Sequence, residues 1–319
     1  MANAYTDTSG ASLGTSLVQA AYDRYIEIKL RGVPMFDAFA DKHPVAQAMP
    51  GSSVVLQVMP TLAEATTPLT ETVDPDSVAF GNTTPITLTF AEYGNVALTT
   101  ERLQIFNLAQ GGVNPLIANE IASNMMLSLD TVAQTSFRGG TNTIREIAGA
   151  LNFAGSTATV TATDSAKGRD FLAAVAKLRG NFAVPNSGSN HYTAIIHSDV
   201  AYCLRSQTGQ GGWLTPNEYG SSQQRVWDGE IGTFGGALFI ENARCYNATD
   251  GASSARVFRS YVFGQQAFAS AYARRPGVVV GPVVDKLRRF QPIGWKGTLA
   301  YGLFRQEAIY RVETAAPVA

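Results

Sequence analysis

At 319 residues, with 45% hydrophobic and 15% charged residues, the chain has globular rather than disordered composition and is long enough for two subdomains. A net charge of −1 argues against a sequence-specific DNA reader, which needs a marked basic excess. No apolar run approaches the ~18 residues of a membrane span. Cys203 and Cys245 are too few and too far apart for a disulfide framework or a metal site, and read as small buried hydrophobes.

The charges are few but segregated. Between Pro44 and Glu101 there is no lysine or arginine, only Glu64, Glu71, Asp74, Asp76, Glu92 and Glu101. Between Arg256 and Arg311, ten basic residues face only Asp285 and Glu307. Opposite patches steer association, so the two stretches are expected to meet, within one fold or between copies. A low charge content with abundant Ala, Thr, Gly and Val points to a surface largely covered by something else. The opening Met-Ala-Asn-Ala-Tyr-Thr-Asp has neither the basic nor the apolar region of a secretory signal.

In chain order, residues 12–31 predict an amphipathic helix, with Leu13, Leu17, Ala21, Tyr25 and Ile28 on one face and Gly32 and Pro34 ending it. Ser53 to Pro60 and Ile86 to Thr99 alternate as strands: Val54, Leu56 and Val58 on one face, then Ile86, Leu88 and Phe90. Between them lie about 25 residues without helical period, longer than most hairpin loops. They predict an outreaching β excursion with an acidic tip. Asn114 and Pro115 are suited to the N-cap and first position of a helix carrying Ile117, Ile121, Met125, Leu129 and Val132 in one stripe, stopped by Gly139-Gly140.

A second helix is expected from Ser165, with Phe171, Leu172, Val175 and Leu178 inward and Gly180 as its C-cap. Tyr192 to His197 predicts a buried strand, followed by a short helix capped at Ser198 or Asp199. The glycine-punctuated stretch from Gly229 to Glu241 predicts a turn and a strand, and Tyr261 to Phe268 and Val278 to Val284 add strands. Leu299, Tyr301 and Leu303 alternate on one parity and Ala308, Tyr310 and Val312 on the other, so a bulge or turn is expected near Arg305. The class is α+β, without internal repeats.

Little of this is catalytic. His43, His191 and His197 stand in no metal-ligand spacing. His197, Ser198 and Asp199 are adjacent in sequence and cannot converge on one substrate atom as a hydrolytic relay, so His197 reads as a cap or core residue. Gly229, Gly232, Gly235 and Gly236 precede a strand and lack dinucleotide spacing. Glu71, Asp74 and Asp76 offer too few oxygens and no tight glycine turn for calcium. They read as solvated side chains or as contacts to a basic partner. Arg274, Arg275, Lys286, Arg288 and Arg289 read as a solvated or subunit-contacting strip before a phosphate-facing one.

Taken together, the order of elements resembles the major capsid proteins of tailed bacteriophages. The strings Gln104-Ile-Phe-Asn-Leu-Ala, Ile196-His-Ser-Asp-Val-Ala-Tyr-Cys-Leu-Arg, Asp228-Gly-Glu-Ile-Gly-Thr-Phe-Gly-Gly-Ala-Leu-Phe-Ile-Glu, Val262-Phe-Gly-Gln-Gln-Ala-Phe and Gly294-Trp-Lys-Gly carry the resemblance over Ser53 to Val312. The resemblance implies an α+β fold of the tailed-phage and herpesvirus capsid type, the Johnson fold. It implies an N-terminal arm at 1–50, an extended β-hairpin loop at 51–100 and a peripheral domain at 101–194 with a spine helix at 115–138. An axial domain at 195–285 and C-terminal strands at 286–319 returning to the peripheral domain complete it.

The implied function is self-assembly into hexamers and pentamers of an icosahedral head around double-stranded DNA, with no enzymatic activity, cofactor, metal or membrane. The subunit contacts expected are Glu64, Glu71, Asp74 and Asp76 on the loop against Arg274, Arg275, Lys286, Arg288 and Arg289 of a neighbour. The loop has no lysine, which speaks against the isopeptide crosslink of some relatives. Only about 50 residues precede it, so a scaffold is expected as a separate protein, beside portal and decoration proteins. A nanocompartment shell with the same fold, a hydrolase and a fibrous adhesin are the competing classes.

Overall fold

The computed structural model describes residues 34–44, 52–105, 113–186, 190–207, 230–282, 286–287 and 289–316. The helix expected at 12–31 lies outside them. The described elements are β1 (Asp41–Pro44), β2 (Ser53–Val58), β3 (Thr84–Thr89), β4 (Ala91–Thr100), α1 (Glu101–Ile105), α2 (Val113–Arg138), β5 (Thr143–Ile147) and β6 (Ala150–Asn152). They continue with α3 (Gly168–Gly180), β7 (Tyr192–Ile196), α4 (Ser198–Arg205), β8 (Glu230–Phe234), β9 (Ala237–Glu241) and β10 (Asn247–Ala248). β11 (Val257–Phe263), β12 (Phe268–Val280), β13 (Phe290–Leu303) and β14 (Ile309–Thr314) complete the order.

The strands form three sheets. One has the order β1-β12-β13-β4, the second β6-β5-β14-β11-β7-β9-β8 with β10 paired to β11, and the third is the β2-β3 pair. The eight-stranded sheet is apolar on both faces, as its buried strands require. On one face, α3 and α4 cover Ile144, Tyr192, Ala194, Ile196, Phe239, Phe258, Val262 and Val312, through Phe171, Val175, Leu178, Val200 and Leu204. On the other, the C-terminal half of α2 sets Ala133 and Phe137 against Ile195, Tyr261, Phe263, Phe268 and Ile309, with Phe36 inserted from the N-terminal segment. Odd-numbered residues of β11 and β14 face α2 and even-numbered ones face α3, as strand alternation demands.

Helix α2, at 26 residues, spans about 39 Å. It begins at Val113, so Asn114 lies inside the first turn rather than at the cap, and it ends at Arg138 as expected. Its buried positions are Ile121, Asp130, Ala133, Gln134 and Phe137, rotated from the expected stripe. Met125, Leu129 and Val132 are only half-buried. The rotation has a polar cause. Asn124 Oδ1 accepts the Trp295 indole N–H at 3.0 Å, and Asp130 Oδ1 accepts the backbone N–H of both Met35 and Phe36 at 2.7 Å. These bonds fix the face that hydrophobicity alone would have turned.

Other expectations are corrected by pairing. The stretch Ile86 to Thr99 is two strands: β3 pairs with β2, whereas β4 pairs with β13 from Thr100↔Phe290 to Ala91↔Leu299. Leu88 ties the base of the β2-β3 pair to Ala269, Ala271 and Ala300 of the body. The strand expected at Tyr261 to Phe268 is interrupted after Phe263. There a Cβ on Gly264 would meet the Val184 carbonyl at 2.4 Å, and the turn carries Gln266 at φ 56°. β12 runs through Val278 only to Val280, and residues 283–285 are not among those described.

α3 starts at Gly168, three residues after Ser165, with Asp170 Oδ2 accepting the Lys167 N–H at 2.8 Å. Leu172 is 40% exposed, and Asn181 rather than Gly180 is the C-cap. The turn expected near Arg305 is a 3₁₀ turn at Gln306–Ala308, which passes the chain from one sheet to the other. As a result β14, within 286–319, pairs with β11 and β5 of the eight-stranded sheet. α3, within 101–194, covers that sheet's core.

Candidate subunit interface

The acidic loop leaves the body between β2 and β3, and residues 61–83 are exposed throughout. A turn closed by the Val73 N–H to the Thr70 carbonyl at 3.3 Å presents Glu71. Glu64, Asp74 and Asp76 lie along the same excursion, all exposed. The loop is also apolar: Met59, Leu62, Leu69, Val73, Val78 and Phe80 are exposed, Leu69 by 78%. Six large side chains held in water on one excursion exceed what scattered surface hydrophobes require.

Arg274 and Arg275 are exposed on β12 where its pairing with β13 slips, with register shifts between Tyr272 and Arg274 and between Arg274 and Gly277. The bulge turns both side chains out of the ladder. Lys286 is exposed, and Arg289 lies beside β4, its carbonyl accepting the Glu101 N–H at 2.9 Å. Its guanidinium sits 5.4 Å from the Phe290 ring centre. Arg288 lies outside the described residues. Around these cations Val96, Leu98, Val278, Val279, Val280 and Leu287 are exposed, so this end of the sheet pairs basic with apolar surface, as the loop pairs acidic with apolar. Among the described residues no ion pair joins the loop to the strip within the chain.

His197 is a cap. Its Nδ1 accepts the Asp199 N–H at 3.1 Å at the start of α4, so His197, not Ser198 or Asp199, closes that end. Burial pushes its imidazole pKa down, against the pull of the Asp199 charge. The neutral ring is the form that can accept. Cys203 and Cys245 are buried and free, and burial pushes the Cys203 thiol up to about 11. The glycines before Ala237 turn β8 into β9: Gly235 and Gly236 have φ 59° and 90°.

Sequence reasoning missed the buried ionic network that braces the body. Glu313 is fully buried on β14. Its Oε2 accepts Arg145 Nε at 2.7 Å and the Thr157 hydroxyl at 2.8 Å, and its Oε1 accepts Arg311 Nε at 2.7 Å and Arg259 Nε at 3.4 Å. Register places Arg145, Glu313 and Arg259 side by side across β5, β14 and β11. A second knot joins the N-terminal segment to the body: Tyr272 and Tyr301 both donate to Asp37 Oδ1, the former at 2.7 Å. The visible signal was an acid two residues from Arg311 on one strand face, beside apolar Val312.

A third knot is poised to titrate. Glu146 Oε1 accepts Lys167 Nζ and Arg169 Nη2, each at 2.6 Å. Next to it, Asp170 is fully buried, and its Oδ1 has no hydrogen-bond partner among the described residues. Burial pushes the Asp170 carboxyl up to about 7, aided by the Glu146 charge and opposed by the Lys167 N–H and Arg169. With its folded value above the unfolded 3.8, the native state holds the extra proton in the window between them. Stability therefore falls as pH rises from about 4 to about 7. Asp170→Asn, which keeps an oxygen for the Lys167 N–H, is expected to remove that slope and to raise the urea midpoint near pH 8. A midpoint–pH profile of the variant parallel to that of the parent would contradict this assignment.

No family model matches the chain, and no curated protein matches it. Solved structures do. The capsid of Ralstonia phage GP4 is similar with a TM-score of 0.71 at 12% identity, over 97% of this chain and 98% of that one. The capsid of cyanophage P-SCSP1u has a TM-score of 0.70 at 11% identity, over 98% and 97%. The cyanophage Pam1 capsid has 0.67 at 13%, over 97% and 99%. At these identities the likeness is one of fold: the chain is an α+β protein with the Johnson fold of phage capsid structures.

Proposed function

We propose that the chain is the major structural subunit of an icosahedral phage head, assembling into hexamers and pentamers around double-stranded DNA. The observation that carries this reading is the loop between β2 and β3, both acidic and apolar, which has no ionic partner among the described residues of its own chain and stands on a capsid fold. A second copy offers the complementary surface, Arg274, Arg275, Lys286 and Arg289 amid exposed valines, with Arg288 adjoining in sequence. Each exposed ion pair contributes about 0.2–1 kcal/mol, and covered apolar area adds roughly 25 cal/mol per Å². Single contacts of that strength stay reversible, while repetition over every subunit makes the lattice stable.

In this reading the outreaching loop is residues 52–90. One body unit is the β1-β12-β13-β4 sheet with α2, and the other is the eight-stranded sheet with α3 and α4. The protein resides in the virion after assembly in the host cytoplasm, and it acts by contact rather than catalysis. Expression of the full chain followed by negative-stain electron microscopy is expected to show closed shells. Particles taken from producing cells are expected to hold nuclease-protected DNA. A monodisperse monomer at every salt concentration overturns the proposal, and shells filled with an enzyme instead of DNA redirect it to a nanocompartment.

A further inference from the structure

Beside the Glu313 knot is an open depression of about 340 Å³, lined by Thr135, Arg138, Gly139, Arg259 and Arg311. Three arginines line it from three elements: Arg138 from the last turn of α2, Arg259 from β11 and Arg311 from β14. Arg138 lies 3.4 Å over the Tyr246 ring, and Arg259 stands 4.8 Å from the same ring centre. The side chains of Arg259 and Arg311 are only 11% and 14% exposed. They are therefore preorganised rather than free to sweep through solvent.

The local charge does not balance. Arg138, Arg145, Arg259 and Arg311 bring four positive charges, and the acids paired with them are Glu313 and Asp250, a surplus of two. Donors are also left over. Arg259 Nη1 is shielded from solvent with no acceptor among the described residues, although Nε and Nη2 of the same group are engaged by Glu313 and Asp250. Arg311 uses Nε on Glu313 and Nη1 on the Arg138 carbonyl. Arg138 has the ring face of Tyr246 and no ion pair among the described residues.

We propose that this depression is an oxyanion site of phosphate chemistry. A dianion cancels the surplus of two, which a single carboxylate does not. A tetrahedral set of oxygens can also take donors from arginines on three elements, whereas a planar carboxylate satisfies one fork. Free phosphate is such a dianion near neutral pH, whereas the phosphodiester backbone of nucleic acid offers phosphate oxygens at one charge per phosphate, so two neighbouring phosphates would be needed to cancel the surplus. The site is built within one chain and does not depend on shell formation.

The test uses the purified full-length chain, as parent and as Arg138→Gln. It is titrated with sodium phosphate and pyrophosphate against sodium chloride at matched ionic strength, and separately with a short DNA duplex, read by calorimetry and by the thermal unfolding midpoint. Arg138 is chosen because it stands outside the Glu313 ion pairs. Phosphate or pyrophosphate is expected to raise the midpoint beyond chloride, with binding about tenfold or more weaker in Arg138→Gln. The same loss seen with the duplex alone assigns the site to a nucleic-acid backbone. A response to the small anions alone assigns it to free phosphate. Arg138→Lys, which keeps the charge but not the fork, is expected to bind between the two and serves if Arg138→Gln does not fold. Absence of any response beyond chloride in both arms overturns the proposal, as do equal responses in the parent and the variants.

Discussion

Glu313→Gln is expected to destabilise the subunit by about 3–5 kcal/mol, the usual consequence of removing one partner from a buried ion pair. The substitution keeps shape and keeps an oxygen for the Thr157 hydroxyl. It removes the charge that faces Arg145, Arg311 and Arg259 on three neighbouring strands. Only Asp250 then remains to compensate Arg259. Strand β14 is the seam between β11 and β5, so the loss should appear as one cooperative shift of the urea midpoint, not as local fraying.

The pH profile supplies a second readout. Burial alone would raise the Glu313 carboxyl, but Arg311, the Thr157 hydroxyl, Arg145 and Arg259 outweigh it and hold the group below the usual range. A depressed carboxylate contributes stability that is present above its unfolded value and lost as pH falls through the folded one. Glu313→Gln should therefore flatten the acid limb, leaving the fall toward about pH 7 that Asp170 produces. A destabilisation below about 1 kcal/mol, with the acid limb unchanged, would show that the arginines are well enough solvated to do without Glu313.

These two acids mark where sequence reasoning reached its limit. Val54, Leu56, Ile86 and Leu88 declared their strands, because each alternation records one face against the body, and the α2 stop at Arg138 was legible in Gly139-Gly140. What alternation cannot tell is the partner. Ile86 to Thr99 reads as one strand, yet Phe90 is where the chain leaves β2 for β13, a choice made by long-range pairing. The face of α2 was likewise decided by Asp130 and Asn124, whose partners are 95 residues earlier and 171 later. Of the candidate interface, both charged patches were visible in composition, and among the described residues no ion pair joins one to the other within the chain. The apolar half of the loop was passed over because its hydrophobes follow no period, and the Arg138 depression because its three arginines are distant in sequence.

The loop itself gives the sharpest test of assembly. Glu71→Lys, Asp74→Lys and Asp76→Lys combined turn three negative charges into three positive ones, at positions exposed throughout, so the fold of the subunit should not change. Against a neighbour's Arg274, Arg275 and Lys286, attraction becomes repulsion at each copy of the contact. Like charges facing each other suppress association more strongly than lost attraction does. Loss of shells in electron microscopy is expected, with the circular dichroism spectrum of the soluble subunit retained. High salt separates the two halves of the contact. At 1 M the screening length is about 3 Å, so assembly of the triple variant should partly recover there, driven by Leu69, Val73, Val78 and Phe80. Normal particles from the triple variant at low salt would remove the ionic role of the loop. Continued failure at high salt, with the subunit folded, would place the apolar side chains second to the charges. Recovery would make the loop a hydrophobic clasp whose acids choose where it closes.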